Sequence, residues 1–314
     1  MDRKELVSNY TKLNHSFKKK TLIYRLGFRY GFFSEYNNMI LAMLYCLENK
    51  KRFILYSNKA NFSYDKGWND YFLPFCEEIS TNFHYIHNHR DPLSTTFLER
   101  NHPFIYLYKI IHPNHFLTFQ LWDKFRDKKF ESKRYHIPEL GINGSLQEAC
   151  SVLIELTWNY NSHTQNTING LLSSIGLPED YIGLHIRGGD KSIEANLLDA
   201  QKYMDKAKSL SDLHNLFVLT DDYQIIENMQ SEYKDYVIHT LCDPSERGYF
   251  HEKFQKQEKT MIRKSHEKLF ASIDILNKAQ LFIGTFSSNP GVFLGMRMPK
   301  GKAVSVDLDQ WRIW

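Results

Sequence analysis

The chain has 314 residues, 42% hydrophobic and 24% charged, enough for about two domains with cores of their own; a disordered chain or a fibre is excluded. Forty Lys and Arg against thirty-six Asp and Glu leave +4 at pH 7, far from the one-signed surface of an obligate nucleic-acid binder. Phe, Tyr and Trp reach 15%, which either an aromatic core or a sugar-stacking surface would use.

Residues 1–10 are charged and lack the apolar stretch of a signal peptide, and the apolar run at 39–47 is too short to span a bilayer. The expectation is a cytoplasmic protein. Lys18, Lys19, Lys20, Arg25 and Arg29 form a basic cluster, read as a solvated face or as peripheral contact with the inner face of an anionic membrane. Residues 21–27 predict a strand, 28–37 a polar, glycine-containing turn, 38–48 a helix and 52–56 a second strand, which is a βαβ unit. Residues 61–114 are less regular, broken at Asp91-Pro92, His102-Pro103 and His112-Pro113. A helix is predicted at 147–159 and a polar linker at 161–170.

From 181 onward the pattern is regular. Strands at 181–186, 215–219, 236–239, 280–283 and 303–306 alternate with helices at 199–208, 223–229, 265–277 and 289–298. This alternation predicts a doubly wound α/β domain. The expected architecture is α/β, with two Rossmann-like domains, 1–160 and 161–314, facing each other across a cleft.

Open α/β sheets bind ligands beyond the carboxyl ends of their strands. Three such ends are polar here: 187–191, 220–222 and 285–288. Arg187 offers a planar fork for a phosphate, and Gly188 and Gly189 let backbone N–H groups approach it. Thr285, Ser287 and Ser288 precede a helix, where free N–H groups and hydroxyls can hold an anion. A diphosphate-bearing ligand fits this set. The blander account makes the glycines turn formers and Ser288 a helix cap. Asp221 and Asp222 either accept from ribose hydroxyls or a base edge, or cap the following helix. Glu194 is a general-base candidate or a solvated loop residue.

Other motifs say less. The four cysteines, Cys46, Cys76, Cys150 and Cys242, make no metal-ligand spacing or disulfide framework and suit a reducing compartment. Asp307-Leu308-Asp309 has the look of a metal pair, and His87-Asn88-His89 reads as surface decoration. The dinucleotide fingerprint, the P-loop and the nucleophile elbow are all absent from the sequence. The basic run 253–268, with Arg263, reads as a helix face that could also close on a diphosphate. Sequons stand at Asn9, Asn14, Asn61 and Asn143.

The segment Ile182-Gly183-Leu184-His185-Ile186-Arg187-Gly188-Gly189-Asp190-Lys191 resembles the diphosphate-binding segment of the α1,6-fucosyltransferase family. The likeness continues through Glu194-Ala195 and Tyr203-Met204, and recurs at Leu219-Thr220-Asp221-Asp222 and Thr285-Phe286-Ser287-Ser288. Upstream, Tyr30-Gly31 through Asn38 looks like the family's first glycine-containing loop, which adds Gly31 and Asn37 to the candidates. Residues 60–160 carry no match.

The resemblance implies a GT-B-type, metal-independent, inverting glycosyltransferase that needs no cofactor and takes GDP-β-L-fucose as its donor. It implies that Arg187 holds the diphosphate, that Asp221 and Asp222 lie around the nucleotide, that Ser288 stands at the phosphate site and that Glu194 is the base; His185, Gly188, Gly189, Asp190, Lys191, Asp274, Thr285 and Ser287 complete the candidate set. Three departures stand out. Gly188 replaces a second arginine, so Lys191 or Arg263 would have to compensate. The step from Lys191 to Glu194 is one residue short, and Asp274 lies about two residues out of register. The acceptor would be a glycan, a lipid-linked sugar or a glycoprotein, met by the amino-terminal domain and aromatics such as Trp68, Tyr71 and Phe72 unless these pack a core. Nucleic acid is not an expected partner. The alternatives are a similar enzyme using another nucleotide sugar, or an inactive nucleotide- or carbohydrate-binding protein.

Overall fold

β1 (Thr21–Arg25) and β2 (Arg52–Tyr56) lie parallel, joined by α2 (Phe32–Glu48), and β3 (His115–Leu117) pairs with the other side of β1. This computed structural model describes residues 1–93, 95–188, 200–248 and 258–313. The chain divides into two units, Met1–Asn161 and Ser162–Trp314. The expected βαβ unit is present, but α2 starts six residues before Asn38 and absorbs most of the predicted turn. Phe32, Phe33, Tyr36 and Asn37 are poor helix formers. Burial of their rings overrides the propensity. Phe32 stacks on Phe72, Tyr36 on Trp68, and Phe33 on Trp158.

Trp68, Tyr71 and Phe72 are at most 1% exposed. These rings pack the core of the first unit and form no acceptor surface. Each contributes about 1.5–3 kcal/mol by burial. The high aromatic content is thus mainly a core feature here: among the largest fully buried side chains of the described residues, only Phe217 belongs to the second unit.

α1 (Arg3–Ser16), unpredicted, is capped by Asp2 and docks through Leu6, Tyr10 and Asn14. The Asn14 amide bonds both backbone groups of Phe53, at 2.9 and 2.7 Å, so this sequon is buried. Three short helices follow β2: α3 (Asn82–His87), α4 (Phe97–Arg100) and α5 (Pro103–Ile111). α6 (Thr118–Phe125) comes next, then the antiparallel pair β4 (Tyr135–Ile137) and β5 (Ile142–Gly144), and α7 (Leu146–Thr157) with a Ser145–Glu148 capping box.

His87, Asn88 and His89 are buried, contrary to the surface reading. The Asn88 side chain donates to Ile23 O at 2.9 Å and accepts from Thr118 N–H at 2.8 Å, which ties β1 to α6. Arg25 is also buried and donates to the carbonyls of Tyr85 and Asn88, so it leaves the expected basic face.

The second unit opens with α8 (Ser162–Ser174), where a polar linker was predicted. Only Thr164 and Ile168 of α8 are buried, which is why the sequence shows so little periodicity. β6 (Ile182–His185), α9 (Ala200–Leu210), β7 (Asn215–Leu219), α10 (Tyr223–Glu232), β8 (Val237–His239), α11 (Lys259–Lys278), β9 (Leu281–Gly284), α12 (Asn289–Arg297) and β10 (Ala303–Ser305) follow. α8 packs on α11. The strand order is β10-β9-β6-β7-β8, all parallel. Counted within the unit, that is 5-4-1-2-3, the doubly wound order of nucleotide-binding sheets. The winding reverses between β6 and β9. Ile182, Leu184, Leu216, Val218 and Ile283 fill the core between strands and helices, all at 0% exposure.

Candidate functional site

In sheets of this winding, ligands bind beyond the carboxyl ends of the strands that flank the reversal, here β6 and β9. Ile186 N–H still bonds Leu219 O at 3.0 Å, so Arg187 is the first residue past the ladder. The Gly188 N–H donates to Asp221 Oδ1 at 2.6 Å, which joins the β6 and β7 loops. A Cβ at Gly188 would lie 2.8 Å from Asp222 Cβ and 3.2 Å from Asp221 Oδ1. The β7 loop therefore sits where any side chain at position 188 would begin.

Asp221 also accepts from Gly248 N–H through its carbonyl, at 2.8 Å. Asp222 is the N-cap of α10, accepting from Gln224 N–H at 3.0 Å. The capping account therefore holds for Asp222, while Asp221 fastens two loops.

At the end of β9 the loop 285–288 is tightly organised. Ser288 caps α12, accepting from Gly291 N–H at 3.2 Å and donating to Thr285 O at 2.9 Å. A Cβ on Gly291 would fall 1.9 Å from Thr285 O, so only glycine allows the first turn of α12 to close on the loop. The N–H groups expected to be free for an anion are partly taken. Phe286 N–H and Ser287 N–H donate to the Asp307 carboxylate at 2.9 and 3.2 Å, and Ser305 Oγ bonds it as well.

Burial pushes the Asp307 carboxyl up, but the hydrogen bonds from Ser287, Ser305 and Phe286 outweigh this and hold it below the usual carboxylate range. Asp307 is thus an internal oxyanion ligand of the loop rather than half of a metal pair. The sequence reading missed this role: Asp307 lies 20 residues away along the chain, and only the β9–β10 pairing brings it close.

His185 ends β6, 7% exposed. Burial, then the adjacent Arg187 charge, lowers its pKa to about 4, so it is neutral at pH 7. Its Nδ1 has no hydrogen-bond partner among the described residues.

The carboxyl ends of the neighbouring strands β6, β7 and β9 thus carry His185, Arg187, Gly188, Asp221, Asp222, Thr285, Ser287 and Ser288, with Asp307 bonded to the last loop. Asp274 is placed elsewhere. It pairs with Arg297 Nη1 at 2.5 Å near the carboxyl end of α11, where the next residue's carbonyl accepts from Tyr181 OH just ahead of β6. That is the amino end of the sheet, the wrong end for a donor. Arg263 pairs with Glu267 at 2.9 Å on α11. Gly31 and Asn37 belong to the first unit, Gly31 as N-cap of α2 and Asn37 buried within that helix. Gly189, Asp190, Lys191 and Glu194 lie outside the described residues. Among the described residues no cluster of His, Cys, Asp and Glu is placed to hold a metal ion.

Residues 149–291 match the family described as alpha-(1,6)-fucosyltransferase N- and catalytic domains. This stretch contains β6, β7 and β9 with all three polar loops. A sequence comparison with curated proteins finds no match. Solved structures similar to this chain include NodZ alpha-1,6-fucosyltransferase soaked with GDP-fucose, at TM-score 0.55 and 16% identity, covering 90% of this chain and 94% of that one. NodZ from Bradyrhizobium aligns at TM-score 0.54 and 15% identity over 89% and 92%. POFUT1 in complex with GDP-fucose aligns at 0.50 and 10% over 94% and 98%. The motif resemblance and the GT-B-like α/β fold expected from the sequence both hold.

Proposed function

We propose that this chain, whose residues 149–291 match the alpha-(1,6)-fucosyltransferase family, transfers L-fucose from GDP-β-L-fucose to a hydroxyl of a glycan or glycoconjugate, inverting the anomeric carbon. The observation that carries the reading is the convergence of the Arg187–Gly188, Asp221–Asp222 and Thr285–Ser288 loops at the point where the sheet's winding reverses.

The acceptor oxygen attacks the anomeric carbon as the bond to the β-phosphate oxygen breaks, and GDP leaves with the electron pair. Arg187 meets the charge growing on the diphosphate through its planar fork. Thr285 and Ser287 offer hydroxyls to the same oxygens, Ser288 holds their loop by capping α12, and Lys191 adds a second cation. Glu194 takes the acceptor proton. Neutral His185 is suited to a hydrogen bond beside Arg187 without adding positive charge.

In this reading the reaction runs without metal, the leaving diphosphate being met by Arg187, Lys191 and the loop hydroxyls. Four free cysteines, three of them buried, suit a cytoplasmic setting. The test is product analysis with GDP-fucose, GDP-mannose and UDP-sugars, with and without chelator. GDP released with fucosylated acceptor, unaffected by chelation, supports the reading. GDP bound without turnover on any glycan acceptor contradicts it.

A further inference from the structure

We propose that the outer face of α5, with the lysines beside it, docks this protein on an anionic lipid bilayer. Ten of the fifteen exposed large apolar side chains among the described residues lie between positions 85 and 111, so the exposure is concentrated in one stretch and not scattered. α5 supplies half of them: Phe104, Tyr106, Leu107, Ile110 and Ile111 are each 51–76% exposed.

The inward side of α5 is well defined. Ile105 is buried, Tyr108 stacks on Phe83 at 4.2 Å, and Lys109 Nζ donates to His115 O at 2.5 Å. At about 100° per residue these three take one arc of the helix, and the five apolar residues take the remainder. The outward arc carries no charged side chain, and its one hydroxyl, that of Tyr106, donates to Asn101 Oδ1 at 3.0 Å. Phe97 and Leu98 of α4, 70% and 78% exposed, extend the apolar surface. An apolar patch of this kind marks an interaction site.

Charge indicates what covers it. α5 ends at Ile111, and the chain turns into β3, where Asn114 O accepts from Thr21 N–H at 2.9 Å. Lys20 O accepts from Arg52 N–H at 2.8 Å on the same edge. Exposed Lys18, Lys19, Lys20 and Lys50 therefore stand beside the carboxyl end of the apolar face. Aromatic and aliphatic side chains on one arc, flanked by lysines, fit an interface of acyl chains beneath anionic headgroups. Among the described residues no helix is long and apolar enough to cross a membrane, so the contact is peripheral.

The experiment is flotation of the full chain with phosphatidylcholine vesicles, with and without about a third phosphatidylserine. Binding to the anionic vesicles, weakened by high salt, is expected. Ile110→Glu with Ile111→Glu should lower it at least about tenfold. Lys18→Gln with Lys19→Gln and Lys20→Gln should remove most of the preference for phosphatidylserine. Thermal unfolding of both variants should match the parent, because every altered side chain is exposed. The proposal is overturned if the parent floats with neither vesicle, or if the glutamate variant floats as well as the parent. It is also overturned if sedimentation shows a dimer that the glutamates dissolve, since the face then covers a second copy.

Discussion

Asp307→Asn is the perturbation that separates two roles for the residue that orders the phosphate-side loop. The carboxylate accepts from Phe286 N–H and Ser287 N–H at 2.9 and 3.2 Å and from Ser305. An asparagine keeps the shape but offers one oxygen, and its NH₂ then faces a backbone donor. A hydrogen bond to a charged group contributes about 1.5–3 kcal/mol net. The carboxylate is partly exposed, which reduces the loss here to about 1–2 kcal/mol. If Asp307 holds the loop in its binding shape, that loss transfers to the ligand, and GDP affinity falls by about 5–30-fold. Isothermal titration of GDP reads it directly. A variant that binds GDP more tightly than the parent would refute the reasoning, because Asp307 would then be competing with the phosphates for the same N–H groups.

Three further outcomes follow. Gly188→Arg adds a cation beside Arg187 but places a Cβ 2.8 Å from Asp222; it should weaken GDP binding, and unchanged or improved affinity in the same titration would show that the β7 loop yields freely. Arg90 is buried between Glu35 at 3.3 Å and Asp91 at 3.1 Å, so Arg90→Met strands two carboxylates and should cost about 3–5 kcal/mol, about 10 °C in melting temperature; a melt within a degree or two of the parent contradicts this. Burial lowers His185 and His266 to about 4, below the unfolded value of about 6.5. Their contribution is whole above pH 6.5 and is lost as pH falls toward 4, at up to about 1.4 kcal/mol per pH unit for each. Urea unfolding at pH 7, 6 and 5 should show a falling midpoint, and a flat midpoint would mean that both rings protonate in the folded state.

Strands were the most legible elements. β2 and β7 match their predicted residues because RFILY and NLFVL are short apolar runs bounded by polar turns. The beginning of α2 was hidden by aromatics and asparagines whose helicity comes from packing against Trp68, Phe72 and Trp158. α1 and α8 were missed because each buries so little of its surface. The placement of Arg187, Gly188, Asp221 and Ser288 just past strand ends could be read from local motifs, since each follows a recognisable strand. Asp307 could not, because its partners are reached only through sheet pairing. Asp274 shows the converse: a motif neighbour in sequence that its helix carries to the opposite end of the sheet, where Arg297 holds it.

In the proposed reaction Arg187 carries the charge of the departing GDP. The most direct measurement is the turnover of GDP-fucose by Arg187→Ala and Arg187→Lys, followed as GDP release with fucosylated acceptor. Loss of one fork of charge-assisted bonds in the transition state predicts a fall of about 10²–10³-fold for alanine. Lysine should recover only part of it, because an ammonium does not reproduce the planar fork. Near-parental turnover by Arg187→Ala would contradict the account.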